Sequence, residues 1–391
     1  MIYRFADCVL DTARQELRRG GAPVHVEPQV FRLLALLSAS GGAMVSKEEL
    51  ITQVWEGLNV SDATISARIN AVRRAVGDDG TAQRVIRTLP KRGFQVAVPV
   101  DREGAAPARE APAAPAIRFA VATDGERIAY ASHGQGPPLM RVGHWLSHLE
   151  LDWDSPVWQP LIARLAEHFT LYRYDLRGTG LSTRDTRNLT LDAFVEDLRT
   201  VADAAGLERF PIFAASQAVP VAIRFAARYP ARVSRMVLYG GYAVGRVFRT
   251  PLPGEVDEDT VLGLIRAGWG RQDSAFLNAF TALFVPDATL EQVRNFVRIQ
   301  SESISAESAA RLRQAVDRFS VEEELTEIRA PVLVAHARDD AIHPLSQGQM
   351  LAARLPGAEF MMLDSRNHAP LPQEESWSRL VDAVIGFCGE K

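Results

Sequence analysis

The chain has 391 residues, 47% hydrophobic and 24% charged, a composition that excludes a disordered or fibrous polymer, and its length predicts more than one domain. No apolar run approaches the roughly 20 residues of a membrane span, and no basic-then-apolar leader opens the sequence, so neither a membrane protein nor a secreted one is expected. Cys8 and Cys388 fit no metal or redox spacing and read as reduced thiols of a cytoplasmic protein; neither metal nor cofactor is implied.

The net charge of −4 hides an asymmetry. Residues 1–100 hold 13 Lys and Arg against 10 Asp and Glu, and the remainder holds 31 against 38, so the two parts are expected to meet different partners. Between them, residues 101–116 read DREGAAPAREAPAAPA, an Ala/Pro-rich tether that cannot build a core.

The first hundred residues begin with short strand patterns, Tyr3 to Ala6 and Glu16 to Arg19, and the Gly20-Gly21 pair turns the chain toward Val24. Val30, Leu33, Leu34 and Leu37 follow at helical spacing. Ser46 with Glu49 starts a second helix, and Asp62 is expected to cap a third running through Val76. In the third helix Ile65, Ile69, Val72 and Val76 face inward, leaving a polar and basic outer side. A hairpin pattern comes next, with Pro90-Lys91-Arg92-Gly93 at its tip.

This layout, with V-S-D-A-T-I-S-A-R-I-N-A-V-R-R-A-V-G-D-D and V-I-R-T-L-P-K-R-G-F, resembles the OmpR/PhoB-type winged-helix DNA-binding family over residues 1–100. The resemblance implies an α+β winged helix-turn-helix whose third helix enters the major groove of double-stranded DNA while the wing reaches the minor groove. Carried over residue by residue, it places Thr64, Arg68, Asn70, Arg73 and Arg74 on the reading helix and Thr88, Lys91 and Arg92 on the wing. Ala71 stands where the family often has a base-reading Arg, and Pro90 where the wing is often polar or basic. A homodimer on paired half-sites is the implied assembly.

From Ile117 the pattern changes. A hairpin signal at Asp124-Gly125 leads into strands alternating with helices, the signature of a parallel sheet covered on both faces. Within it the run Phe213-Ala214-Ala215-Ser216-Gln217-Ala218 carries a β-type segment into a serine flanked by small residues and then into a helical pattern. A tight strand-to-helix turn of that kind exposes a nucleophilic hydroxyl, and Asp340 and His368 follow in the order Ser, Asp, His, each after its own predicted strand.

The motifs Y-D-L-R-G-T-G-L-S (174–182), A-A-S-Q-A (214–218), H-A-R-D-D-A-I-H-P (336–344) and D-S-R-N-H (364–368) resemble the α/β-hydrolase superfamily over residues 117–391. G-H-W-L-S-H-L-E (143–150) is similar to hydrolase domains that bacteria fuse to regulatory or cyclase modules. The resemblance implies Ser216 as nucleophile, His368 as base and Asp340, four residues before Pro344, as its partner. It implies an oxyanion hole at Gln217 with His144 or Trp145, although Gly143 precedes His144 where the superfamily usually writes His-Gly. It also places a cap at about 241–325. Trp269, Phe276, Phe280 and Phe284 of that insertion predict a pocket for a small lipophilic ester, lactone or ketone. The expectation is a DNA-binding regulator whose hydrolase domain binds, and in part hydrolyses, a small lipophilic ligand; the alternative is a serine esterase with an accessory winged helix.

Overall fold

The computed structural model describes residues 2–12, 14–55, 60–90, 92–103, 116–250, 256–270 and 274–389, and the chain divides into two compact units, 1–113 and 114–391. In the first unit β1 (Ile2–Phe5), β2 (Cys8–Asp11), β3 (Glu16–Arg19) and β4 (Ala22–Val24) form an antiparallel meander. Three helices follow, α1 (Pro28–Ala39), α2 (Lys47–Trp55) and α3 (Asp62–Ala75), with the short β5 (Val45–Ser46) before α2. The wing comprises β6 (Ile86–Leu89) and β7 (Gly93–Val96), and β7 also pairs with β5. That pairing is close enough to require glycine: a Cβ on Gly93 would lie 2.1 Å from the Val45 carbonyl oxygen.

Two expectations change here. Asp101–Glu103, assigned to the tether by composition, form β8, antiparallel to β1 at the sheet edge; a three-residue charged edge strand carries no hydrophobic pattern by which to find it. The rest of the expected tether, 104–115, lies outside the described residues. At α3 the cap is Ser61, whose Oγ accepts from the Thr64 amide at 3.2 Å, while Asp62 is the first helical residue and pairs with Lys47 at 2.9 Å.

The core of this unit packs Val30, Leu33, Leu34 and Leu37 of α1 with Ile65, Ile69 and Val72 of α3. What fixes the wing to α3 is Asp78. This buried carboxylate accepts from four backbone amides, Asp79 (2.9 Å), Arg84 (2.9 Å), Val85 (2.8 Å) and Ile86 (2.8 Å). Burial pushes its pKa up, but the four amides outweigh burial and hold it below the ordinary carboxylate range.

The second unit is a three-layer α/β structure. Its strands are β9 (Arg118–Val121), β10 (Arg127–His133), β11 (Pro138–Arg141), β12 (Thr170–Tyr174), β13 (Phe210–Ala215), β14 (Val233–Tyr239), β15 (Val332–Ala337) and β16 (Glu359–Leu363), ordered β16-β15-β14-β13-β11-β12-β10-β9. All neighbours pair in parallel except β9–β10 and β10–β12. Strand β15 is buried along its whole length, as a sheet covered on both faces requires. Helices α4 (Trp158–Ala166), α5 (Leu191–Ala204) and α6 (Ala218–Arg228) connect the first half. Between β14 and β15 lie α7 (Glu258–Gly268), α8 (Ala275–Phe284), α9 (Leu290–Ser303) and α10 (Ala306–Val316), and α11 (Leu345–Arg354) and α12 (Glu375–Gly389) complete the chain.

Arg177 of the Y-D-L-R-G run is completely buried and holds three segments together. It donates to both Asp197 oxygens from Nε (2.8 Å) and Nη2 (2.6 Å) and reaches Asp124 in the β9–β10 turn at 2.6 Å. Chain order reverses at β11, with β12 on one side and β13 on the other, which opens a crevice beyond the strands' carboxyl ends. Among the described residues no helix is long and apolar enough to cross a membrane.

Asp78→Ala leaves four amides short of an acceptor and is expected to cost on the order of 2–3 kcal/mol of first-unit stability in urea denaturation. Since the native pKa of Asp78 is depressed, its contribution is present above the ordinary carboxylate pKa and lost as pH falls through the lowered value. The wild type should therefore lose its advantage over the variant in acid.

Candidate functional site

Ser216 sits in the turn between β13 and α6 with φ of +57°, a left-handed conformation that L-residues adopt only under constraint. Its amide donates to Tyr239 O (2.9 Å) and its carbonyl accepts from the Val219 amide (3.0 Å), so the turn is closed by the adjacent strand and by its own helix. Ala214 and Ala218 are completely buried, leaving no room for larger side chains two places either side of the serine.

Asp340 and His368 come together from the loops after β15 and β16. His368 Nδ1 lies 2.7 Å from Asp340 Oδ2, and Asp340 Oδ1 accepts from the amides of Ile342 (2.8 Å) and His343 (3.1 Å). Burial opposes the Asp340 charge, but the His368 charge and hydrogen bond and the backbone amide prevail and lower its pKa. The backbone of the His368 loop is clamped from α8: the amides of His368 and Ala369 both donate to Phe284 O, at 2.8 and 3.2 Å. His336, in β15, is a buried packing residue whose Nε2 meets His343 O at 2.9 Å, and Asp364 is exposed and bonded to Arg338.

One neighbour of Ser216 has no counterpart in the expected set. His343 Nε2 lies 3.4 Å from Ser216 Oγ, and its ring stands edge-on to His368, centroids 5.3 Å apart. Burial holds its pKa well below the ordinary value, so the ring is neutral. The Ser216 hydroxyl thus rests against His343, with His368 lining the same cavity. The signal for it was a histidine inside H-A-R-D-D-A-I-H-P, three residues after Asp340 and one before the proline.

On the opposite wall, Gly143 packs against Tyr174 and Leu176, where a Cβ would approach to 2.8–3.0 Å. The left-handed turn of this loop is made by Leu146, at φ +55°. His144 is turned inward with its ring 4.8 Å from that of Trp158 and Nδ1 3.0 Å from Trp145 O; burial lowers its pKa to about 3. Gln217 is buried at the start of α6, and neither side-chain atom has a hydrogen-bond partner among the described residues. His144, Trp145 and Ser216 all line one cavity of about 50 Å³, with Trp158, Phe284, Phe296 and His368.

The expected aromatic pocket divides. Phe276, Phe280 and Phe284 form one stripe along α8, with successive centroids 5.7 and 5.2 Å apart. A stripe of nine residues, eight steps apart end to end, spans ~12 Å of helix. Its far end therefore reaches Ser216 through Phe284 alone, while Phe276 and Phe280 line a separate cavity of about 960 Å³ beside Asp340, Arg246, Arg249 and Arg313. Trp269 lines neither: its Nε1 donates to Gln300 O (3.2 Å) and its ring packs edge-on to Trp145 and Phe280.

In the first unit α3 presents Ser66, Asn70 and Arg74 to solvent, and Arg92 is exposed at the wing. Thr64 is half-buried, its hydroxyl 3.0 Å from Ser61 Oγ, and Arg68 is paired with Glu27. Arg73, expected on the DNA-facing side, is buried. It donates to Ile86 O (3.2 Å) and Thr88 Oγ1 (2.7 Å), tying α3 to the wing, because it follows Ile69 by four residues and so shares that residue's inward face. Thr88 is thereby engaged from within the unit, and Lys91 lies outside the described residues.

With p-nitrophenyl butyrate, Ser216→Ala should abolish turnover and Asp340→Asn should lower kcat by a factor of about 10⁴ in stopped-flow assays. His343→Val removes a bond competing for the Ser216 hydroxyl and should raise the acylation rate about two- to ten-fold; a fall to a tenth would place His343 in the machinery instead. In anisotropy titrations of duplex DNA, Arg74→Ala and Arg92→Ala should each lower the salt slope by about one. Arg73→Ala should act first on the melting temperature.

The family described as alpha/beta hydrolase fold matches residues 148–374, and the family described as transcriptional regulatory protein, C terminal, matches residues 21–96. The pimeloyl-[acyl-carrier protein] methyl ester esterase of Nitrosomonas europaea is 28% identical over 61% of this chain and 90% of its own length. The pyrrolizixenacetamide deacetylase of Xenorhabdus hominickii is 26% identical over 66% and 94%. Among solved structures, an esterase from Exiguobacterium antarcticum aligns with a TM-score of 0.59 at 18% identity, covering 70% of this chain and 99% of its own. An enol-lactonase from Burkholderia xenovorans aligns with a TM-score of 0.55 at 20% identity, covering 70% and 100%. With its crevice beyond a parallel sheet and a serine on the β13–α6 turn, the chain belongs to the alpha/beta hydrolase fold family, and it carries an OmpR/PhoB-type DNA-binding domain ahead of that fold.

Proposed function

We propose that this protein is a DNA-binding regulator whose hydrolase domain takes a small, largely lipophilic ester- or lactone-like ligand in the cavity beside Ser216 and cleaves it slowly. The observation that carries the reading is His368, bonded to Asp340 at 2.7 Å and lining one cavity with a serine held in left-handed backbone. In the proposed reaction Ser216 Oγ swings from His343 toward His368 and attacks the carbonyl carbon while His368 takes its proton. Asp340 steadies the imidazolium, and the amides of Gln217 and of Trp145 or His144 receive the oxyanion. The leaving alcohol departs with the proton from His368. Water, deprotonated in turn by His368, then cleaves the acyl-serine, releasing the acid and restoring the hydroxyl.

Thr64, Arg68, Asn70, Arg74 and Arg92 would meet DNA, with a homodimer supplying paired half-sites. Regulation requires the ligand to favour one DNA-binding state by differential affinity. The complete set of Ser, His and Asp, together with relatives named for ester and amide cleavage, favours one further reading: a serine esterase whose winged helix is accessory.

The deciding experiment is anisotropy of DNA from the protein's own upstream region with the Ser216→Ala protein, with and without saturating p-nitrophenyl butyrate. A regulator should shift its DNA affinity at least five-fold, about 1 kcal/mol of coupling. An unchanged affinity alongside fast wild-type turnover would favour the esterase.

A further inference from the structure

The Ser216 cavity is walled by Trp145, Trp158, Leu161, Phe213, Phe284 and Phe296, yet one residue lining it is a cation. Arg141, the last residue of β11, is 5% exposed, with its guanidinium carbon 4.9 Å from the centroid of the Trp158 ring. Its Nε has no hydrogen-bond partner among the described residues. The carboxylate nearest to hand, Asp152, is taken by Arg173 at 3.6 Å, and Arg173 lies opposite Arg141 in the β11–β12 register. Asp175 also acts on Arg173, whereas Asp152 is the carboxylate that acts on Arg141. Burial lowers the pKa of Arg141 only to about 10, so it is charged at neutral pH.

A buried, incompletely paired guanidinium at the edge of an apolar cavity is costly unless an anion completes it. Its planar fork matches a carboxylate, and the Trp158 face leaves the donor edge available. The cavity is small: about 50 Å³, where one water needs roughly 10–15 Å³, so about three to five non-hydrogen atoms fit beyond the reacting carbonyl, as two methylenes and a carboxylate would.

We propose that Arg141 is a specificity-determining residue that selects short acyl groups ending in a carboxylate, so that the ligand is a half-ester, or the corresponding lactone acid, of a dicarboxylic acid of about four carbons. This rests on the reading that the Ser216 cavity holds the ligand. The acyl carbonyl lies at Ser216, the methylenes lie among the aromatic side chains, and the terminal carboxylate meets the guanidinium.

The test uses the full chain carrying Ser216→Ala, so that nothing turns over, and follows the fluorescence of Trp145 and Trp158. It compares monomethyl succinate with methyl 4-methylpentanoate, in which an isopropyl group replaces the carboxylate at nearly the same shape. The acid should bind at least ten-fold more tightly than its neutral counterpart. Adding Arg141→Met should weaken the acid at least ten-fold and leave the neutral ester within two-fold, and Arg141→Lys should recover part of the difference. Equal affinities in the protein that retains Arg141, or tighter binding of the neutral ester, would overturn the proposal without recourse to the variants, should these fail to fold. Binding of neither probe would instead remove the Ser216 cavity as the ligand site, and this proposal with it.

Discussion

The left-handed backbone at Ser216 is the constraint on which the hydrolase unit depends. A φ of +57° at a non-glycine residue persists only where its surroundings over-determine it. Here the buried alanines at 214 and 218, the Tyr239 carbonyl and the first turn of α6 all fix the same turn. The cost, on the order of 1–3 kcal/mol, is offset by the packing of a sheet whose central strands are buried on both faces. In exchange the hydroxyl is lifted out of the strand, at the end of the sheet where the loops after β15 and β16 deliver Asp340 and His368. A second strained residue, Leu146 at φ +55°, shapes the opposite loop.

The helices between β14 and β15 are tied to the His368 loop rather than merely laid over it. The Phe284 carbonyl accepts from two successive amides of that loop, and the Phe284 ring stands edge-on to His368, centroids 5.5 Å apart. Any ligand that displaces Phe284 therefore acts on the backbone that carries His368. Phe284 thus joins the cavity wall to the backbone that carries His368. The same cavity combines aromatic walls with the Arg141 cation.

Most of the architecture was legible in the letters, because period-2 and period-3.6 patterns, turn residues and motif order all agree. The Ser, Asp and His were legible for the same reason: each follows a strand of near-continuous apolar residues. What escaped detection depends on direction and depth. Arg73 reads as a surface arginine until the helix places it beside Ile69, where its guanidinium finds the Ile86 carbonyl. The stripe Phe276, Phe280, Phe284 reads as one pocket, yet its length carries it across two cavities. His343 lies inside one expected motif and Arg141 just before another, but neither carries a period of its own, and only packing shows that one faces the hydroxyl and the other the cavity. Strand β8 is three charged residues paired with β1, a pairing that composition does not encode.

The most direct measurement of the central claim, that the elbow serine is an activated nucleophile served by His368 and Asp340, is covalent trapping. The full-length protein is incubated with a fluorophosphonate and read by intact-mass and peptide mass spectrometry, with Asp340→Asn in parallel. One adduct per chain is expected, on Ser216, formed far more slowly in the variant. An unlabelled serine, or an adduct on another residue, would contradict it.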